Sequence, residues 1–107
     1  MFVYHVKPGL EQQLEAVLAE TWKVYTKEHR VHSTPHVLVR VRDDATHDCF
    51  VEVFNLTGFH AVEHPSGSLR RMWEQARALC EDRDGQPAVQ YRDITKMIAP
   101  RIPELVE

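Results

Sequence analysis

The sequence lacks the features that mark several common functional classes. Only four of its 107 residues are glycine, and neither a G-x-G-x-x-G motif nor a phosphate-binding glycine loop occurs, so nucleotide binding is not implied. The formal net charge is −3, and Arg70 with Arg71 forms a local pair rather than a basic stripe, which argues against nucleic acid as a partner. No stretch approaches the roughly 20 apolar residues of a membrane span, so no membrane partner is expected.

Cysteine is also scarce, with only Cys49 and Cys80 and no C-x-x-C spacing. We expect two buried free thiols in a reducing compartment, because the spacing suggests neither a disulfide framework nor a metal site. The first residues look like a strand and show no basic region, long apolar run or small-residue cleavage site, so no signal peptide is expected. Together these features predict a cytoplasmic protein.

Hydrophobic periodicity divides the chain into an alternating order of strands and helices. Period-two alternation indicates strands, and a 3.6-residue period indicates amphipathic helices. The predicted elements are strand 2–6, helix 9–28, strand 37–42, strand 49–54, helix 66–83 and strand 88–97. They are connected by a polar linker at 29–35, a turn at 43–46 and a short helical turn at 56–64. Ser66 is predicted to cap the second long helix, and Asp84-Gly85 to end it.

This order predicts one α+β domain at residues 1–97, a ferredoxin-like β-α-β-β-α-β unit with an antiparallel four-stranded sheet, followed by an extended C-terminal tail at 98–107. Two helices cover only one face of such a sheet, so the other face needs an apolar partner. A second copy of the chain is the simplest candidate. Strands 37–42 and 49–54 offer one aliphatic face and one face that mixes aromatic and charged groups. The sequence does not decide which face packs on the helices.

Seven histidines are many for a chain of this length. His60 and His64, with Glu63 between them, match the H-x-x-E-H motif of inverted zinc proteases. Pro65 follows at once and ends the helix that this motif needs, so we expect no metal here, but one inward and one solvated histidine. A second cluster lies in the predicted linker with no cysteine nearby, and a solvated loop is expected there: His29, His32 and His36.

The aromatic side chains lie mostly on the apolar stripes of the predicted elements, so core packing is the default expectation for each. Phe54, Phe59 and Trp73 could nevertheless converge with His64 between the sheet and the helices. An apolar cleft with one or two titratable groups is the usual form of a small-ligand site. The sequence therefore offers this cleft as its candidate site.

Three segments of the chain resemble a known family. They are Val6-Lys7-Pro8-Gly9 before a glutamate-rich helix, Phe50-Val51-Glu52-Val53-Phe54, and Phe59-His60-Ala61-Val62-Glu63-His64 leading into Leu69 and Trp73. Over roughly residues 1–97 the chain is similar to antibiotic-biosynthesis monooxygenases of the dimeric α+β barrel type. The resemblance implies a homodimer whose two sheets form a barrel, with a pocket between each sheet and its helices.

The resemblance also implies an activity. Some members oxidise polycyclic phenols or quinols with molecular oxygen and no metal, flavin or haem, because an electron-rich phenolate can itself reduce oxygen. The protein then has to bind the aromatic molecule, remove a proton and exclude water. A histidine commonly ends the short helix in this family, and His64 matches it. The resemblance thus implies a small aromatic ligand, no cofactor, and these site residues: His64 as the catalytic base, Phe54, Phe59 and Trp73 as pocket walls, and Asn55 and His60 as hydrogen-bond partners.

The sequence departs from the family in ways that leave other functions open. Members often carry an aromatic residue, frequently tryptophan, where the third strand ends, and this chain has Phe54-Asn55 there. The haem-degrading branch uses an asparagine in the first strand, a tryptophan on the short helix and a histidine on the long one, none of which occurs here. Two alternatives remain: a non-catalytic small-ligand-binding or accessory protein of the same fold, and an isomerase or decarboxylase of small metabolites.

Overall fold

The computed structural model describes residues 1–56 and 64–95, with the backbone alone at 33–35. Within these ranges the elements are β1 (Phe2–Tyr4), α1 (Glu11–Lys27), β2 (Val31–Arg42), β3 (Asp48–Leu56), α2 (Gly67–Ala78) and β4 (Val89–Tyr91). Two helices and an antiparallel sheet confirm the α+β class. Neither helix of the described ranges is long and apolar enough to cross a membrane. Residues 57–63 of the predicted helical turn and the predicted tail at 98–107 lie outside the described residues.

The sheet is built around β1, which lies between β3 and β4. The order across the sheet is β2-β3-β1-β4, and each neighbouring pair is antiparallel. The predicted turn at 43–46 joins β2 to β3. In it, the Asp44 carboxylate accepts hydrogen bonds from the backbone N–H groups of Thr46 (2.8 Å) and His47 (2.9 Å). These bonds, with the His47 ring, lower the pKa of Asp44 to about 2.

The helices pack on the aromatic face of the sheet, which answers the question that the sequence left open. Cross-strand register places Phe2 opposite Glu52 and Tyr4 opposite Phe50, and all four side chains are buried. They pack with the inward stripes of the two helices, which include Leu14, Leu18, Tyr25, Leu69 and Ala76. The aliphatic face points away from the helices, and its β2 side chains are 40% to 44% exposed: Val37, Val39 and Val41.

β2 is longer than its sequence pattern indicates. The predicted linker at 29–35 is wrong from residue 31 onward, because strand pairing already begins at Val31, opposite Leu56. The register shifts between Val31 and His36, and regular pairing resumes with His36 opposite Phe54. An irregularity of this kind lets a polar, proline-containing stretch stay within a strand. His32 and His36 therefore both lie in β2, so the prediction of a loop is wrong for these two residues, although His32 is exposed.

The C-terminal part differs from prediction at two further points. α2 ends at Ala78, well before the predicted stop at Asp84-Gly85. Asp84 (φ 52°) and Gly85 (φ 78°) instead form a tight turn, closed by backbone hydrogen bonds between Arg83 and Gln86. Within the described part of the predicted strand 88–97, β4 spans only Val89–Tyr91, where it pairs with the three residues of β1. Residues 96–97 lie outside the described residues.

Both cysteines are free and buried, as predicted. Cys80 lies just beyond α2, where the chain returns to the sheet and bridges to Val6, and this return accounts for the early end of the helix. Burial raises the pKa of the Cys80 thiol to about 11 and also raises that of Cys49. Both thiols are therefore protonated near neutral pH.

Ser66 connects the start of α2 to the end of α1. Its Oγ accepts a hydrogen bond from the backbone N–H of Leu69 (3.1 Å), which confirms the predicted cap. The same hydroxyl donates to Oε2 of Glu28 (2.7 Å), the C-cap residue of α1. This bond is the main reason why the pKa of Glu28 lies below its ordinary value.

We predict that Ser66→Ala lowers the free energy of unfolding by about 1 kcal/mol, because α2 loses its N-cap acceptor. Ser68→Ala is the matched control in the first turn of the same helix, since the Ser68 hydroxyl bonds only an exposed side chain, that of Arg71, among the described residues. Urea denaturation of the two variants measures the difference. Equal stabilities would contradict the capping role.

Candidate functional site

A hydrogen-bonded group of three polar side chains extends from the apolar core toward the surface. Glu52 is only 1% exposed. Tyr4 Oη donates a hydrogen bond to Glu52 Oε1 (3.0 Å), and His36 Nε2 lies 3.0 Å from Glu52 Oε2. Both carboxyl oxygens are therefore hydrogen-bonded, as burial of such a group requires. We call Tyr4, Glu52 and His36 the core triad.

The sheet register brings the core triad together. Glu52 lies on the inward face of β3, opposite Phe2 of β1 and Leu38 of β2. Tyr4 and His36 each occupy the position diagonal to Glu52 on those two strands. Diagonal neighbours on one face are within reach of each other when their side chains are long. The glutamate thus contacts one partner on each side.

α1 covers His36 with an aromatic contact. The Trp22 indole stacks on the imidazole, with ring centroids 3.5 Å apart and planes 3° from parallel. Phe54 meets the same imidazole edge-on, with centroids 6.4 Å apart. These contacts hold the ring in the orientation that presents Nε2 to Glu52. The His36 side chain is 23% exposed, so this end of the core triad reaches solvent.

Burial dominates the electrostatics of the core triad. Loss of hydration raises the pKa of Glu52, and the hydrogen bonds with His36 and Tyr4 oppose this shift in part. The pKa of Tyr4 lies well above its ordinary value, because burial and the nearby Glu52 charge both disfavour a phenolate. Tyr4 is therefore a neutral hydroxyl that donates and accepts hydrogen bonds. Glu52 is a more basic carboxylate than one at the surface.

A pocket of about 100 Å³ lies beside the core triad, between β1, β4 and α2. We call it the aromatic pocket, and its lining residues are Phe2, Tyr4, Trp73, Ala76, Arg77 and Val89. Tyr4 belongs both to this wall and to the core triad. The Trp73 indole is held in place because its Nε1 donates a hydrogen bond to Tyr25 Oη (2.8 Å). Aromatic side chains and one exposed arginine thus contribute to the wall of a single small space.

The residues predicted for the site lie in different surroundings. Trp73 lines the aromatic pocket, and Phe54 is buried close to it, with its ring centroid 5.8 Å from that of Phe2. Asn55 follows Phe54 along β3, so its side chain belongs to the opposite face of the sheet. Two of the predicted residues lie outside the described ranges: Phe59 and His60.

His64, the predicted base, is exposed and lies just before α2. Its backbone carbonyl accepts a hydrogen bond from Arg30 Nη1 (3.0 Å). It is not among the described residues that line the aromatic pocket. Its role as a base stays a prediction.

The sequence patterns did not lead to the core triad, although one signal was present. In Phe50-Val51-Glu52-Val53-Phe54 the glutamate shares a face with two phenylalanines, so burial of that face also buries a charge that needs partners. The partners come from other strands, and His36 falls in the segment predicted to be a linker. Arg77 has no sequence feature that distinguishes it from the other charged residues of α2.

Within residues 1–56 and 64–95, no group of three histidine, cysteine or carboxylate side chains is arranged to hold a metal ion. Most of the H-x-x-E-H segment falls at 57–63, outside these ranges. Comparisons of the chain with protein-family models, curated proteins and solved structures gave no match.

The raised pKa of Glu52 predicts a contribution to stability that declines as the pH rises. A carboxyl group with a higher pKa in the folded than in the unfolded state holds its proton more tightly when folded. Its contribution is complete below the unfolded value near 4.5 and is lost as the pH rises through the folded pKa. We predict that Glu52→Gln removes this decline, because an amide does not ionise.

Urea unfolding of both proteins over a series of pH values, starting below the ordinary carboxyl pKa, measures this effect. For each protein, the free energy of unfolding at every pH is compared with its own value at the lowest pH. A loss of stability in Glu52→Gln that is the same at every pH therefore does not affect the comparison. A decline of the same size in both proteins would show that another group causes it.

Proposed function

We propose that the protein binds a small electron-rich aromatic molecule, a phenol or quinol, in the aromatic pocket and oxidises it with molecular oxygen without a cofactor. The observation that carries this proposal is the composition of the pocket wall. Phe2, Tyr4 and Trp73 contribute aromatic surface, and Tyr4 is hydrogen-bonded to a buried carboxyl group. Apolar walls with a few placed polar groups are the usual form of a site for such a ligand.

The size and charge of the aromatic pocket favour one ring with an acidic hydroxyl. An apolar cavity of roughly 150 Å³ holds a benzene molecule, and the aromatic pocket is of similar size at about 100 Å³. A polycyclic ligand would place one of its rings inside. Arg77 lines the wall, and no carboxylate of the described residues is paired with it. Its guanidinium favours the phenolate form of a ligand.

The proposed reaction balances without a metal or flavin. The phenolic O–H bond and one ring C–H bond of the substrate break, and a C–O bond forms with one atom of O2. The other oxygen atom leaves as water with the two hydrogens. The substrate supplies the four electrons that reduce O2 and becomes a quinone. The protein contributes binding, removal of the phenolic proton and exclusion of water.

Oxygen uptake with a panel of phenols and quinols tests this proposal. We predict one O2 consumed per substrate molecule, and a rate at least about tenfold lower for Trp73→Leu, because the pocket loses an aromatic wall. Arg77→Gln is predicted to weaken binding of the phenolate form. Its matched control is Arg70→Gln on the same helix, because Arg70 is exposed and does not line the pocket.

The exposed position of His64 favours a second candidate function, binding of the aromatic molecule without catalysis. Quenching of tryptophan fluorescence by a phenol, with no oxygen uptake, would select this candidate over the oxygenase. If His64 is the base that the resemblance implies, His64→Ala lowers the rate of oxygen uptake at least about tenfold. An unchanged rate would remove His64 from the mechanism.

For the architecture we propose the ferredoxin-like arrangement and a homodimer. The ferredoxin-like arrangement is supported by the element order β-α-β-β-α-β, with β1 and β3 between β4 and β2. The homodimer is supported by the exposed aliphatic face, because the residue pairs across β2 and β3 on this face carry no charge: Val37 and Val53, Val39 and Val51, Val41 and Cys49. Two such faces stack without desolvating a charged group.

Val39→Lys tests the homodimer, since it would place a charge at the centre of the stacked faces. We predict a dimer for the wild type and a monomer for this variant in sedimentation measurements at micromolar concentration. Gln13→Lys adds the same charge at an exposed position of α1 and is predicted to remain a dimer. A monomeric wild type would refute the proposed assembly.

A further inference from the structure

The core triad forms a continuous path from the aromatic pocket to the protein surface. Tyr4 lines the pocket, and its hydroxyl lies 3.0 Å from Glu52 Oε1. Glu52 is buried, and its second oxygen lies 3.0 Å from Nε2 of the partly exposed His36. The two hydrogen bonds therefore connect a residue of the pocket wall to a partly exposed imidazole through one buried carboxyl group.

We propose that Glu52 accepts the phenolic proton of a molecule bound in the aromatic pocket, with Tyr4 as the relay and His36 as a positioning residue. This inference rests on the proposed function, because it requires an aromatic hydroxyl at Tyr4. It assigns the proton acceptor to residues that neither the sequence patterns nor the family resemblance indicated.

The transfer has two coupled parts. The O–H bond of the ligand breaks, and its proton forms a new bond to Tyr4 Oη. At the same time the Tyr4 O–H bond breaks, and that proton binds Glu52 Oε1. The ligand becomes a phenolate and Glu52 a neutral carboxylic acid, so charge and protons balance. In an oxidation, this proton is one of the two that leave in the product water.

The surroundings of Glu52 suit this role. The titratable or charged groups that face it among the described residues are Tyr4 of β1, His36 of β2, Tyr25 of α1 and the N-terminal amino group of Met1. Burial is the largest influence on the pKa of Glu52 and raises it, which makes the carboxylate a stronger base. The stacking of Trp22 on His36 keeps the second oxygen bonded, and so keeps the first directed at Tyr4.

The test uses 4-nitrophenol, whose anion absorbs visible light. At a pH well below the pKa of the free phenol, we predict that the wild-type protein binds part of it as the anion. Glu52→Gln and Tyr4→Phe are each predicted to reduce the ratio of bound anion to bound neutral phenol at least about tenfold, equivalent to one pKa unit. Tyr91→Phe is the matched control, because it removes a tyrosine hydroxyl of the same sheet that lies outside the core triad and the described pocket wall.

The direction of the change in Glu52→Gln separates proton transfer from a purely electrostatic effect. Loss of a nearby negative charge alone would favour the bound anion and raise its fraction. If Glu52 accepts the proton, the fraction of 4-nitrophenol bound as the anion must fall in Glu52→Gln, because an amide accepts no proton. A raised or unchanged fraction, with binding retained, would overturn the relay and leave the aromatic pocket as a ligand site. Failure of the wild type to bind any phenol would instead overturn the proposed function, and the relay with it.

A measurement on the wild type alone covers the case in which the variants do not fold. With ¹³C-labelled glutamate, the Glu52 carboxyl resonance should move toward its protonated position as bound 4-nitrophenol appears as the anion. A Glu52 resonance that stays at its ligand-free position while the anion forms would show that the proton goes elsewhere.

Discussion

A carboxyl group in an apolar core is stable only when hydrogen bonds replace the water that it has lost. Glu52 meets this requirement by bonding Tyr4 on one side and His36 on the other. Its partners belong to β1 and β2, so the carboxyl group couples the register of three strands. A slip of one residue would turn Glu52 to the opposite face and leave both partners unbonded. The aromatic pocket depends on the same register, because Phe2 and Tyr4 line it.

The features that were predicted correctly arise from residues close together in the chain. The cap at Ser66, the turn at Asp44 and the inward stripe of α1 depend on local chemistry and on periodicity, which a sequence displays directly. The core triad depends instead on pairing between strands far apart in sequence. Its position was further hidden because the polar, proline-containing segment before His36 has the composition of a linker although it lies within β2.

The face of the sheet that packs on the helices also could not be predicted from the sequence. Both faces of the central hairpin are apolar enough to be buried, so hydrophobicity alone does not choose between them. The aromatic face packs on the helices, where its larger side chains bury more apolar area and where Tyr4 and His36 reach Glu52. The valine face remains outward. Trp73 lines the aromatic pocket, and its predicted role as the wall of a ligand site stays a prediction, whereas Tyr4 and Arg77 of the same pocket wall were not predicted.

The proposed function and the proton relay both require that an aromatic ligand in the aromatic pocket reaches the buried carboxyl group through Tyr4. A crystal structure of the protein with a bound phenol tests it most directly. We expect the ring between Phe2 and Trp73, with the phenolic oxygen within hydrogen-bond distance of Tyr4 Oη. A phenol bound elsewhere, such as against His64 with the aromatic pocket empty, would contradict it.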